Sequence, residues 1–149
     1  METHRSIVDE KILDNFSVVR GRSLMNHVAN SYSIEMAIGF AGLFCPEIVE
    51  DDGCIFISEF YNGDIDDLRR FHNTNKEIEL FVNSWSLQAL LKDYKELDYS
   101  IDYIDEFAKA IQYFWKQRID SLFPDRNIVV EIGEGIMGEE GLTVTVYQD

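Results

Sequence analysis

The sequence predicts a single α+β domain over residues 1–149, with helices packed on antiparallel hairpins, and three observations carry that prediction. Two β-branched and aromatic runs double back on themselves at about 47–58 and 127–148. Apolar residues recur at helical spacing before and between those hairpins. No regular alternation of strand and helix occurs, so a parallel α/β sheet is not expected. A chain of 149 residues with 46% hydrophobic and 13% aromatic content can bury a core without disulfides or metal.

Taken in order, the elements begin with a short helix, because Ile7, Val8, Ile12, Leu13 and Phe16 recur near helical spacing. Gly21 breaks that pattern, and the stretch after it, His27 included, reads as irregular. Ser33 has the chemistry of a helix N-cap, and Glu35 follows in the first turn, where the helix dipole favours negative charge. The next turns, "IEMAIGFAGLF", are apolar almost all round, so a helix over 33–44 is expected at the buried centre of the fold. Its small residues Ala37, Gly39, Ala41 and Gly42 would admit close neighbours, and Pro46 ends it.

The first hairpin sets "EIVE" and "CIFIS" on either side of Asp51, Asp52 and Gly53. Asp-Gly between two such runs is a strong hairpin signal, since glycine takes the positive φ that the turn requires. In "NGDIDDLRRFHN" acids come first and Arg69, Arg70 and His72 last, the order a helix dipole prefers. Residues 76–96 carry two patterns. Ile78, Leu80 and Val82 alternate like a strand, whereas Leu87, Leu90, Leu91 and Tyr94 repeat like a helix. A helix with an irregularity near Asn83 to Ser86 is the expectation.

The clearest helix runs from about Ser100 to Phe123. Ile101, Ile104, Ala108, Ile111, Trp115, Ile119 and Leu122 form one stripe, widened by Phe107 and Phe114, and Pro124 stops it. Its aromatics outnumber what one stripe can bury, so Tyr99 and Tyr103 should reach the surface, and a homodimer seam through helix 100–123 is one use for them. "NIVVEIG" and "LTVTVYQ" then read as strands joined by "EGIMGEEG".

Charge is the outlying property. The chain has 28 acids against 13 Lys and Arg, a formal net of −15. Such a surface repels nucleic acid and anionic lipid, because each contact adds repulsion in place of counterion release. Between Ser23 and Leu68 there are nine acids and no Lys or Arg, and after Arg126 five more acids and again no base. If the hairpins share a sheet, one side of the molecule is a concentrated negative surface. That face would speed encounter with a cationic partner, or would serve solubility alone. The N-terminus is charged where a secretory signal needs an apolar segment, no run approaches a bilayer span, and cytoplasmic residence is expected.

The motifs that invite a chemical reading each have a plainer one. Cys45 and Cys54 bracket Glu47, Glu50, Asp51 and Asp52, yet they lie nine residues apart with no second pair, so zinc is not expected. Consecutive carboxylates also lack the alternating ligands that enclose calcium. Buried thiols and a polar turn are the expectation. "GEGIMG" matches a dinucleotide fingerprint but is followed by Glu139, Glu140 and a β-rich run instead of a helix, so it reads as a hairpin loop. His4, His27 and His72 adjoin no recognisable nucleophile, and pairs such as Asp102 with Asp105 are expected by chance in so acidic a chain. No catalytic residue, metal or cofactor is assigned.

The segment "LFCPEIVEDDGCIFISEFY" resembles the hairpin region of a family of small bacterial proteins of uncharacterised function with a pattern close to FxPEFVEVDGCVFL. The likeness covers Ile34 to Tyr61 and, more weakly, Val82 to Leu91. It implies a soluble bacterial protein and transfers no functional residue.

The expected function is binding without chemistry: an acidic protein, immunity- or antitoxin-like, that meets a basic protein through Glu47, Glu50, Asp51, Asp52, Glu59, Asp64, Asp66 and Asp67. The alternative is a small-molecule-binding protein or enzyme with a pocket beside helix 33–44, to which His27, Cys45, Glu59 or His72 would contribute.

Overall fold

The computed structural model describes residues 2–3, 5–90 and 101–149, with only the backbone course at 90, 101 and 102. Its elements are a 3-10 turn at Glu10–Asn15, α1 Leu24–Ser31, α2 Ile34–Phe44, β1 Ile48–Asp51, β2 Cys54–Ile57, and a 3-10 turn at Ser58–Phe60. They continue with α3 Ile65–Phe71, α4 Asn75–Asn83, β3 Trp85–Ser86, α5 Leu87–Leu90, α6 Ile101–Leu122, β4 Ile128–Glu134 and β5 Leu142–Gln148. This is an α+β fold, as the two hairpins and the helical stripes predict.

The first hairpin closes on Asp52 and Gly53, both in the left-handed region at φ 46° and 77°, which is the geometry that matches strand twist in a two-residue turn. Every residue of β2 is buried, and its two faces serve two clusters. Ile55 and Ile57 join the main core with Leu87, Ile111, Trp115, Ile119, Ile128, Val144 and Val146. Cys54 and Phe56 turn the other way, onto Ile78 of α4, with Tyr61, Ile65, Leu68 and Val82 around them. Each fully buried Phe or Ile of these sets contributes roughly 1.5–3 kcal/mol, so a two-faced strand is a strong anchor for such a short hairpin.

The hairpins do not share a sheet. β1 and β2 form one sheet, and β3, β5 and β4 form another in that order. What joins them is α4, whose N-terminus carries a complete capping box between Thr74 and Glu77. Two of its polar side chains, Glu79 and Asn83, are fully buried. Glu79 accepts from the Ile55 N–H at 2.8 Å and, from β5, the Gln148 N–H at 2.7 Å and side-chain amide at 2.6 Å. Asn83 accepts from Ile57 N–H at 3.0 Å and donates to the carbonyls of Ile55 (2.8 Å) and Val146 (2.9 Å). The polar groups on the outer edge of β2 are thus met by a helix instead of a third strand.

α6 lies against the second sheet through Ala108, Ile111, Trp115 and Ile119, the middle of its predicted stripe. The ends of that stripe differ from expectation: Leu122 is 41% exposed, as is Phe114 at 42%. Tyr103 is half-buried and bonds the Asn15 carbonyl, while Tyr99, Tyr94 and Leu91 lie outside the described residues, as do His4 and the Asp102 side chain. The "GEGIMG" segment starts in β4, where Gly133 and Glu134 pair with Thr143 and Leu142, and runs into the hairpin loop, with a 3-10 turn at Ile136–Gly138.

Three expectations are corrected. The helix over 33–44 exists, capped by Ser33, but it is not the buried centre: Ile34, Met36 and Ile38 are 75%, 43% and 66% exposed. Only its end reaches the core, where Leu43 and Phe44 pack and the Trp115 indole N–H donates to the Leu43 carbonyl at 2.9 Å. A Cβ added at Gly39 or Gly42 would meet nothing within 4 Å, so neither glycine admits a close neighbour. Second, the stretch after Gly21 is a helix capped by Ser23, with His27 on it. Third, the one helix expected over 76–96, with its irregularity near Asn83 to Ser86, is divided within the described residues into α4 and α5. Trp85 and Ser86 pair with Val144 and Thr143, which is the irregularity seen between Asn83 and Ser86.

Candidate functional site

The acids proposed from sequence form a belt in chain order over the first hairpin, the Ser58–Phe60 turn and α3. Asp64 caps α3 by accepting from the Asp67 N–H at 2.9 Å, and Asp66 is exposed beside it. Asp67 pairs with Arg70 at 3.3 Å. Arg69 then reaches over the hairpin turn, bonding the Asp52 carboxylate at 2.9 Å and its carbonyl at 3.0 Å. Glu50, on the hairpin, pairs with Arg126 at 2.5 Å.

Asp51 accepts from the Tyr61 hydroxyl at 2.6 Å. Burial and that bond push the Tyr61 phenol up to about 12. Glu47 accepts from the Ser58 hydroxyl at 2.8 Å, and Glu59 is exposed one residue further on. Three of the eight acids are thus met by arginines. Five (Glu47, Asp51, Glu59, Asp64 and Asp66) have no basic partner among the described residues. The belt keeps a negative field, while Glu47, Asp51 and Asp64 are held in place by hydrogen bonds.

At the α2 end the belt borders a cleft of about 430 Å³. The turns of α2 that carry Gly42 and Leu43 form one side, and Phe60 and Trp85 form another. Trp115 and Ile57 line its apolar depth, and Glu47, Ser58 and Glu59 stand along it. The Phe60 and Trp85 rings lie 5.2 Å apart at 51°, so they present faces in two directions. Among the described residues, no Lys or Arg lines it. A volume of this size falls in the range of small-ligand sites.

The cysteines do not form a centre. Cys54 is buried, as expected, but Cys45 is exposed at the end of α2, so the pair of buried thiols is corrected to one. Burial pushes the Cys54 thiol up, against the pull of Arg69, whose guanidinium stands 3.6 Å from the sulfur. Such a thiol is a poor nucleophile at neutral pH. Of the residues named for a pocket, only Glu59 lines the cleft. His27 accepts from the Arg20 N–H at 3.1 Å, and His72 lies against Phe81 with ring centroids 4.9 Å apart. Among the described residues, no group of three or more His, Cys, Asp or Glu could hold a metal ion.

The sequence reading missed Trp85, Trp115 and Phe60 as cleft residues, because they come from three separate elements. Both tryptophans of the chain converge here, a coincidence that spacing along the sequence does not show. No helix among the described residues is long and apolar enough to cross a membrane. Comparison with protein-family models, curated proteins and solved structures finds no match.

Proposed function

We propose that this chain is a non-enzymatic binding protein, immunity- or antitoxin-like, that recognises a basic protein partner through the acidic belt. The observation that supports this reading is the set of five acids on the first hairpin, the Ser58–Phe60 turn and α3 that have no basic partner among the described residues. An uncompensated field of this kind raises the encounter rate with a cationic surface and gives a strong salt dependence. Because Asp51, Asp64 and Glu47 are already bonded within the chain, little side-chain entropy remains to be lost when a partner docks.

The test is affinity capture from the source cell with the wild-type chain and with the double charge reversal Glu59→Lys, Asp66→Lys. Both positions are exposed, and neither has an ion pair among the described residues. A basic protein retained by wild type, released by salt and lost from the reversed variant supports the proposal. Equal retention by both variants, or no specific protein at all, removes it.

A further inference from the structure

We propose that the cleft between α2, the Ser58–Phe60 turn and β3 is a binding site for an organic cation, an alkylammonium or guanidinium group on an apolar stem. The inference extends the proposed function by naming the group that the end of the belt seats. Its geometry is independent of whether a protein supplies that group.

Three properties of the cleft select this chemistry. First, its walls are aromatic. Phe60 and Trp85, in contact at 5.2 Å and tilted at 51°, both line the cleft, and an aromatic lining attracts ammonium and guanidinium groups. Second, its rim is anionic. Among the described residues Glu59 is exposed with no basic partner and Glu47 bonds a neutral hydroxyl, so a carboxylate is available to the charged head. Among the described residues no Lys or Arg lines the cleft, so that lining offers no charge to an anionic ligand. Third, it has an apolar part, because the buried Ile57 and Trp115 are among its lining residues. An apolar stem would cover them, and the charged head would stay near the carboxylates. An inorganic cation gains nothing from such a lining, since hard ions take several oxygen ligands.

Gly42 lines the cleft, and a Cβ there would meet nothing within 4 Å, so a larger side chain can be placed at the cleft without displacing a neighbour.

The chain supplies its own reporter, since its two tryptophans both line the cleft. Titration with butylammonium and with agmatine is expected to change tryptophan fluorescence saturably, whereas butanol at the same concentrations leaves it unchanged. Glu59→Gln, at an exposed site, should weaken the response about tenfold, the size of an electrostatic contribution of about 1.4 kcal/mol. Gly42→Leu should abolish it, with the far-ultraviolet circular dichroism unchanged in both variants. A lysine- and arginine-bearing peptide that displaces the amine more tightly than free amine binds identifies a protein side chain as the source. A peptide that fails to compete identifies a free small cation. An equal response to butanol, or a response that survives Gly42→Leu, overturns the site. Loss of the site with partner capture intact leaves the belt reading standing, and amine binding with no captured partner leaves only the cleft.

Discussion

Glu79 and Asn83, one turn apart on α4, divide the backbone of Ile55 between them: the carboxylate takes its N–H and the amide donates to its carbonyl, each at 2.8 Å. Ordinarily a neighbouring strand does this. Here two side chains at i and i+4 do it, and each also holds β5, through Gln148 and Val146. A one-residue slip of β2 would aim Cys54 and Phe56 at the main core and would leave these buried polar groups without partners.

Substitution at these positions should therefore be costly out of proportion to size. Asn83→Asp keeps the shape but turns a second oxygen toward the carbonyls of Ile55 and Val146, and is expected to destabilise by about 3 kcal/mol or more. Glu79→Gln places a donor among three donors and should lose about 2 kcal/mol. Because both residues share Ile55, the double variant should fall short of additivity by about 1 kcal/mol. Urea denaturation midpoints measure all three, and an unchanged midpoint in Asn83→Asp contradicts the proposed role.

Tyr61 predicts an alkaline limb in stability. Its phenol titrates at about 12 in the folded chain, raised by burial and the bond to Asp51. Unfolded tyrosine titrates near 10, so between those values the native state holds the extra proton. Stability then falls as pH rises through that window and is complete below it. Ultraviolet titration of the phenolate should show a late step that Tyr61→Phe removes, and the variant's stability should be flatter over the same window.

Thr74 and Glu77 give the opposite limb. The backbone N–H groups of Asn73 and Thr74 hold the Glu77 carboxyl below its ordinary range. Its contribution is present above the unfolded carboxylate range and is lost as pH falls through the depressed value. Thr74→Ala should cost about 1 kcal/mol at neutral pH. Glu77→Gln should lessen the slope of acid denaturation, and a slope identical to wild type would count against the cap.

Two glycines should respond with opposite signs. Gly39 is helical and faces open space, so Gly39→Ala is expected to stabilise by about 0.5–1 kcal/mol. Gly141 sits at φ +74°, and a Cβ there would fall 2.0 Å from the Gln88 side-chain oxygen. Gly141→Ala should destabilise by about 1–2 kcal/mol, part of it recovered when Gln88→Ala removes the overlap. Thermal melts of the three variants decide the matter.

The elements that could be read from the chain are those whose cause is local. Asp52 and Gly53 take positive φ because the turn demands it wherever the hairpin packs. α3 begins at an Asp64 cap and ends on Arg69 and Arg70, as its charge order implies. α6 carries its core contacts at the spacing its apolar residues show. α2 was misread because an all-round apolar helix resembles a buried one, and exposure depends on how many elements arrive to cover it. Only the face at Leu43 and Phe44 was met.

By itself, then, the sequence determined the two hairpins, the long helix, the capped helix starts and the excess of acid, since each follows from backbone preference and charge within a few neighbouring residues. Tertiary structure alone decided that Glu79 and Asn83 would be buried and bonded, that the hairpins would occupy separate sheets, and that Phe60, Trp85 and Trp115 would meet around one cleft. Those outcomes depend on which distant segments close over one another, and solvent exclusion at such contacts acts on surfaces in space, with no record in the spacing along the chain.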